Sequence, residues 1–350
     1  MRPVRFALLL GAALGLAGCR ALLPAGDLPV TPVVVPEAFV TPRDEADNLD
    51  SPAVWHGADD RHWLVVTAKD TDRLLVFDAA TGVPVRTVEG TFERPNGIAV
   101  ADDLAFVVER DGARVRALRL PDFAPLGVFG EEHLERPYGV AVVPQGEGRY
   151  RLFVTDSQGG PLGLLPLPGY VLARRVHRFA VTAAAGALDA RHEGAFGETD
   201  GPGVVRVAES VLADPAHGRL FVAEEAVGRS TVHVYGLDGR YAGQDLPPEL
   251  FPHQAEGLAL AACPDGAGYV VATDQGPERS AFHVFDRATL AYRGTFAGAA
   301  TANTDGVALT LRPFGPFARG AFFALDDDAA VAAFDWGAVL DALGLPGCDG

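Results

Sequence analysis

One short segment recurs along the chain, a turn residue followed by apolar alternation. The copies are SPAVW at 51–55, NGIAV at 96–100, YGVAV at 138–142, EGLAL at 256–260 and DGVAL at 305–309, with a weaker member, AESVLAD, at 208–214. Successive copies begin about 42 to 49 residues apart, except for one interval near 70 that holds a Gly-rich stretch around 186–203, expected to be a long loop. Each copy leads into a second apolar run: HWLVVTAKD, LAFVVERD, YRLFVTDS, GRLFVAEEA, GYVVATDQG and GAFFALDDD. Several continue into a third run closed by a tight turn, as in RLLVFDAATG, STVHVYGLDG and AFHVFDRATL. Period-two alternation between Gly/Asp turns predicts strands, and a repeat in the forties predicts propeller blades. Six copies predict an all-β fold, a six-bladed β-propeller of four-stranded antiparallel blades. The ring makes one domain over 37–350, although 350 residues would ordinarily suggest two. The run PVVVPEAFV at 32–40 is expected to supply the outer strand of the last blade and so remove an open sheet edge. The one helix expected lies at Trp336–Leu343.

Ahead of the repeats, Arg2 and Arg5 precede an apolar run from Phe6 to Leu16 that is too short to span a bilayer and reads as a secretory h-region. It ends in LAGC, which resembles a bacterial lipobox. Residues 1–18 are therefore expected to be a signal peptide, Cys19 the lipidated N-terminus, and 19–36 that lipidated cysteine and a tether. The protein is expected outside the cytoplasm, lipid-anchored to the cell envelope on its periplasmic or extracellular face and touching membrane through the lipid alone. In that compartment Cys263 and Cys348 can pair and pin the C-terminus, with two free thiols as the alternative.

The formal net charge of −17 argues against nucleic acid as a partner, because phosphate-backbone affinity needs clustered cations. Of 29 basic residues all but Lys69 are arginine. A composition that has replaced lysine elsewhere makes Lys69 a candidate for a place needing a compact ammonium.

In a propeller, equivalent repeat positions meet at the central channel. Acids occupy many of them: Asp50, Asp156, Glu209, Glu224, Glu225, Glu256, Asp274, Asp305 and the run Asp326–Asp328. Carboxylates so crowded repel unless a cation neutralises them, and an all-oxygen donor set suits Ca²⁺. At the same level stand Lys69, Arg110 in the matching place of blade two, and Tyr138 opening the inner strand of blade three. An ammonium, a guanidinium and a phenol beside a cation suit a phosphoryl group; for Arg110 the plainer alternative is an ion pair with Glu109. The cluster Arg174, Arg175, His177 and Arg178 is expected to be a solvated strand or loop. Nucleophile elbow, zincin, Walker and C-x-x-C motifs are absent from the sequence.

These motifs together resemble the β-propeller phytases, calcium-dependent six-bladed phosphatases of inositol hexakisphosphate. The resemblance runs from about Thr41 to Trp336. It rests on DSPAVW at 50–55 with TAKDTDRLLVFDAATG at 67–82, ADPAHGRLFVAEEA at 213–226, EGLALAACPDGAGYVVATDQG at 256–276, and TANTDGVALT at 301–310. It implies phosphate contacts and catalysis from Lys69, Arg110 and Tyr138, and calcium ligation by Asp50, Glu209, Glu224, Glu225, Glu256, Gln275 and Asp305. It implies a phosphoric monoester hydrolase of the 3-phytase type acting on a small anionic phosphoester, expected to be a monomer. Departures from the family pattern fall at Ser51, where a second Asp is usual, at Ser157-Gln158, where Lys-Glu is usual, and at Asn303 and Ala299, where Asp is usual. Those lost charges leave a non-catalytic propeller binding a ligand or envelope partner as the alternative.

Overall fold

The computed structural model describes residues 28–158, 166–184, 186–226 and 228–348. Cys19 and the signal segment lie outside them. Six antiparallel sheets are arranged as the blades of a propeller, each running outward from the channel. Blade one comprises Leu49–His56, His62–Ala68, Arg73–Asp78 and Pro84–Val88. Blade two comprises Pro95–Ala101, Leu104–Glu109, Arg114–Arg119 and Ala124–Phe129. Blade three comprises Pro137–Pro144, Arg149–Asp156, Val176–Ala184 and Ala187–Phe196. Blade four comprises Ala208–Asp214, Arg219–Glu224, Thr231–Gly236 and Tyr241–Asp245, and blade five Ala255–Ala262, Gly268–Asp274, Ala281–Asp286 and Tyr292–Ala297. Blade six has Val307–Thr310, Ala321–Asp326 and Ala330–Asp335, and takes its outer strand, Phe39–Val40, from the other end of the chain.

The ring is closed by that strand, as the 32–40 run predicts, and by more. Val33–Val34 adds in parallel to Tyr292–Ala297, making blade five five-stranded, so the sheets take in residues ahead of the expected boundary at 37. Helix Trp336–Leu343 is capped by Asp335, which accepts from the amides of Gly337 and Ala338, and stops at Gly344 in the left-handed region (φ 64°). Cys263 and Cys348 form a disulfide that ties the segment after this helix to blade five. A one-turn helix at Gly169–Leu172 and a 3₁₀ turn at Pro248–Leu250 were not expected.

Apolar side chains fill the six wedges between neighbouring blades. Trp55, Leu74 and Ile98 pack between blades one and two, Phe106, Leu152 and Phe179 between two and three, and Phe153, Leu220 and Tyr235 between three and four. Phe221, Phe251 and Phe285 fill the next wedge, Phe282, Phe296 and Phe322 the fifth, and Leu64, Phe317 and Phe323 the last. Burial of both sheet faces explains why the second strands read as unbroken apolar runs.

Two expectations are corrected in blade three. The 186–203 stretch is largely its outer strand, Ala187–Phe196, rather than a loop. Arg175 and His177 are buried, not solvated. The Arg175 guanidinium donates to the carbonyls of Val205, Asp156 and Gln158, capping loop ends that would otherwise lack donors.

Candidate functional site

The register of the inner strands places the site. In blade one Leu49 pairs with Ala68 and Pro52 with Val66, so Asp50 and Ser51 face the single residue Thr67. The same two-against-one bulge recurs at Asn96-Gly97, Tyr138-Gly139, Glu209-Ser210 and Glu256-Gly257. A bulge bends the strand and re-aims its side chain. Here it sets Asp50, Asn96, Tyr138, Glu209 and Glu256 at the mouth of the channel, with Asp305 in the equivalent place of blade six.

The second member of each pair is small because neighbouring inner strands nearly touch. A Cβ on Gly139 would lie 2.7 Å from the Glu209 carbonyl oxygen, and one on Gly306 would lie 2.4 Å from that of Asp50. Thr67 and Thr155 bridge across this contact, donating to the carbonyls of Asn96 and Glu209 at 2.6 Å each.

The acids divide into two sets that the sequence did not separate. Those ending the second strands hold the loop that enters the same blade. Asp156 accepts from the amides of Glu135 and Arg136, Glu224 from those of Arg206 and Val207, and Asp274 from the amide and ring of His253. Asp326 accepts from the amide of Ala302 and pairs with Arg43. Glu109 is held by Arg114 and Arg116, which leaves Arg110 free of it. Glu224 therefore belongs to this structural ring, apart from the other residues with which it was grouped.

In blades one, two, four and five the residue after the strand end, Lys69, Arg110, Glu225 and Gln275, reaches the channel instead. The Lys69 ammonium lies 3.0 Å from Asp50 Oδ1 and 2.9 Å from Asp305 Oδ2. Burial opposes its charge, but Asp305 and Asp50 outweigh that and raise its pKa well above the usual lysine value. Asn96 and Ser51 donate to Asp50, Gln275 to Asp305, and Gln254 to Glu225. Arg110 Nη1 donates to the Tyr138 hydroxyl at 3.1 Å. Burial, with Glu209 nearby, pushes the Tyr138 phenol up to about 12.

Glu209, Glu225 and Glu256 complete the wall with one another as neighbours. Burial first, then the charge of Glu225, raises Glu209 and Glu256 well above the usual carboxylate range. Glu225 and Asp305 are also raised by burial, and Asp328, by burial and Asp305, to about 7. Asp50, Ser51, Tyr138, Gly139, Glu209, Ser210, Glu256 and Asp305 line a polar cavity of about 20 Å³.

The structure thus brings together Lys69, Asp50, Glu209, Glu225, Glu256, Gln275 and Asp305, and sets Arg110 and Tyr138 beside them. Asn96 and Gln254 also belong to this wall. Asn96 was legible, since it fills in NGIAV the column that Asp50, Tyr138, Glu209, Glu256 and Asp305 fill elsewhere. A roomier groove of about 460 Å³, lined by Arg151, Arg178, Arg191, Glu193, Leu237 and Asp238, lies off the channel, with Arg191 already bonded to Glu193.

Among the described residues no three acids or histidines converge as a ready-made metal cage. The donor set nonetheless fits a hard cation. Four carboxylates, Asp50, Glu209, Glu256 and Asp305, line the cavity, Glu225 stands beside them, Lys69 is the one ammonium among them, and all of these acids offer oxygen.

The phytase family profile matches residues 203–332. No curated protein matches the chain. Among solved structures, a calcium-binding protein, regucalcin, from Agrobacterium tumefaciens superposes with TM-score 0.54 at 13% identity, covering 87% of this chain and 95% of that one. Hydrazine synthase from Kuenenia stuttgartiensis gives TM-score 0.47 at 13% identity, covering 83% of this chain and 88% of that one. A nidogen/laminin complex gives 0.48 at 14%, covering 73% and 82%. At 13% identity the regucalcin superposition speaks for the fold alone.

Proposed function

From the premise that this chain belongs to the β-propeller phytase family, we propose that it is a calcium-dependent phosphomonoesterase of the 3-phytase type, acting on inositol hexakisphosphate or related phosphoesters at the cell envelope. Phosphoester hydrolysis in general follows from the family; the cation, the substrate and the place are the proposal. The observation that carries it is Lys69 held between Asp50 and Asp305, with Arg110 and Tyr138 beside them at the channel mouth.

An ammonium has three N–H donors, and Asp50 and Asp305 take two, which leaves one for a phosphoryl oxygen. Arg110 adds a planar fork, suited to two oxygens of the same group. With its pKa near 12 the Tyr138 phenol keeps its proton at neutral pH and acts as a hydrogen-bond donor, not a base. Asp50, Glu209, Glu225, Glu256, Gln275 and Asp305 would hold the calcium. When bound, it supplies the positive charge that neutralises these carboxylates and polarises the phosphoryl group. The donors around the phosphoryl group would then stabilise the charge that builds in the transition state.

Supporting the location are the lipobox at Cys19 and the disulfide between Cys263 and Cys348, a bond that persists in oxidising compartments. We take the protein to be an exported, lipid-anchored monomer. The test is phosphate release from inositol hexakisphosphate and from 4-nitrophenyl phosphate by residues 27–350, with calcium and with a chelator. Calcium-dependent release is expected. A folded protein that releases phosphate from neither ester would refute the reading.

A further inference from the structure

Away from the channel, three adjacent strands of blade three each carry an arginine on the same face. Arg151 and Arg191 both pair with Ala180, one from each side, and Arg178 lies two residues from Ala180 along its strand. Residues paired across a sheet or two apart along a strand share a face, so the three side chains rise from one side, around the small side chain of Ala180. That side looks toward blade four, because Phe153, which pairs with Arg178, packs in the wedge between the two blades. The three arginines, Glu193, and Leu237 and Asp238 from the turn after Thr231–Gly236 line the groove of about 460 Å³.

Charge in this groove is unbalanced in the sense opposite to the rest of the chain. Elsewhere one arginine answers several acids: Arg73 faces Asp44, Asp47 and Glu89, and Arg114 faces Glu93, Glu109 and Glu131. Here one carboxylate answers three arginines. Glu193 lies 2.7 Å from Arg191 Nη2, 3.3 Å from Arg151 Nε and 3.7 Å from Arg178 Nε. Asp238 is the other acid, and Arg240 stands 3.8 Å from it. The Nε atoms of Arg151 and Arg178 are shut off from water and have no hydrogen-bond partner among the described residues. Arg178 directs its two Nη groups at the carbonyls of Leu237 and Glu193, both at 3.4 Å. Those of Arg151 have no partner among the described residues. A guanidinium group stays charged, so this side of the groove keeps an excess of positive charge on a chain of formal net charge −17.

We infer that this groove is an anion-binding site separate from the channel, for a small molecule carrying two or more adjacent charged oxygen groups. Arg151 and Arg191 supply free forks, and Arg178 adds a more buried charge. Its volume of about 460 Å³ lies within the roughly 300–1,000 Å³ of small-molecule sites and exceeds what a single oxyanion fills. Glu193, seated among the three guanidinium groups, shows the chemistry they accept and competes with the ligand for it. The site stands whether or not the channel hydrolyses phosphoesters.

The probes are pyrophosphate and citrate, titrated calorimetrically into the calcium-free protein at neutral pH, with acetate as the singly charged control. Without a cation the carboxylates of the channel repel anions, so the heat reports the groove. Pyrophosphate or citrate should bind at least about tenfold tighter than acetate, and Arg151→Gln and Arg191→Gln should each weaken binding about tenfold, the effect of one charge-assisted hydrogen bond. Glu193→Gln should act in the opposite sense and tighten binding, because it frees all three forks; a network that only holds the blades together would not respond in this way. Thermal melts identify any variant that fails to fold, and Arg→Lys at the same position, which keeps the charge and loses the fork, then takes its place with a smaller loss expected. Hydrolysis of 4-nitrophenyl phosphate in calcium should be unchanged in Arg151→Gln and Arg191→Gln; a matching loss there would overturn a separate site. A parent protein that binds neither probe overturns the inference, as does binding that survives the two arginine substitutions combined. A parent that binds in an arginine-dependent way yet hydrolyses nothing supports the groove and counts only against the proposed reaction.

Discussion

Lys69 is held by two carboxylates that would repel each other without it, and that sets what its loss should do. Replacing it by Met keeps the stem and removes the charge, leaving Asp50 and Asp305 unbalanced in a partly buried site. Turnover in Lys69→Met should fall about 100-fold or more, the usual effect of deleting one transition-state donor. Assays at saturating substrate check this, and unchanged kcat would remove Lys69 from the chemistry. Glu224 and Glu256 offer a paired comparison, because similar side chains at neighbouring repeat positions do different work. Glu224→Gln weakens the acceptor for the amides of Arg206 and Val207, so it should lower thermal stability and leave calcium affinity alone. Glu256→Gln removes one charge from the crowded wall; it should weaken calcium and stabilise the calcium-free protein, as paired melts and calcium titrations would reveal. Sequence grouped these two acids because a second strand ends at one and an inner strand begins at the other, both near the channel. The bulge aims Glu256 at the channel, whereas Glu224, at a regular strand end, turns to the amides of the loop entering its blade.

The bulge is the device that turns a structural repeat into a site. In five blades two residues of the inner strand oppose one of its neighbour, and the first of the two faces the channel. The second must be small where inner strands nearly touch. Gly139→Val would push a branched side chain against the Glu209 carbonyl, from which even a Cβ would be 2.7 Å away. It should cost about 1–3 kcal/mol in denaturant unfolding. Because the shift falls on the strand carrying Tyr138 and on the backbone of Glu209, phosphoester hydrolysis should fall as well. A Gly139→Val protein of parental stability would mean that the inner strands can spread. The Gly/Ser after each channel residue was visible in the repeats, and so were the blades and the helix at 336–343. The parallel pairing of Val33–Val34 was not visible: the 32–40 run was expected on the last blade, and these two residues pair with Tyr292–Ala297 of blade five instead. Nor was burial of Arg175 and His177 legible, since polar residues on a third strand look solvated until the neighbouring blade covers them.

Two opposing titrations act on the whole ring. Burial, then the neighbouring His192, depresses His177 to about 3, and burial with His62 depresses His56 to about 4. A histidine kept neutral in the fold takes up its proton more readily once unfolded. Stability from these two is full above about 6.5 and is lost as pH falls below it, by at most about 1.4 kcal/mol per pH unit for each. The acids of the channel act in the other sense. Glu209, Glu256, Asp305 and Asp328 have raised pKa values, so their contribution is full below about 4 and is lost as pH rises, up to about 7 for Asp328. Calcium should cancel only the second effect, because it favours the ionised carboxylates. Melting temperatures with saturating calcium should therefore rise from pH 4.5 to 6.5, while those in chelator should stay flat or fall. The gap between the two curves should widen from pH 5 to pH 8. A gap independent of pH would mean that the cation does not bind at these carboxylates, and it would leave the charge imbalance around Lys69 to be met by protons alone.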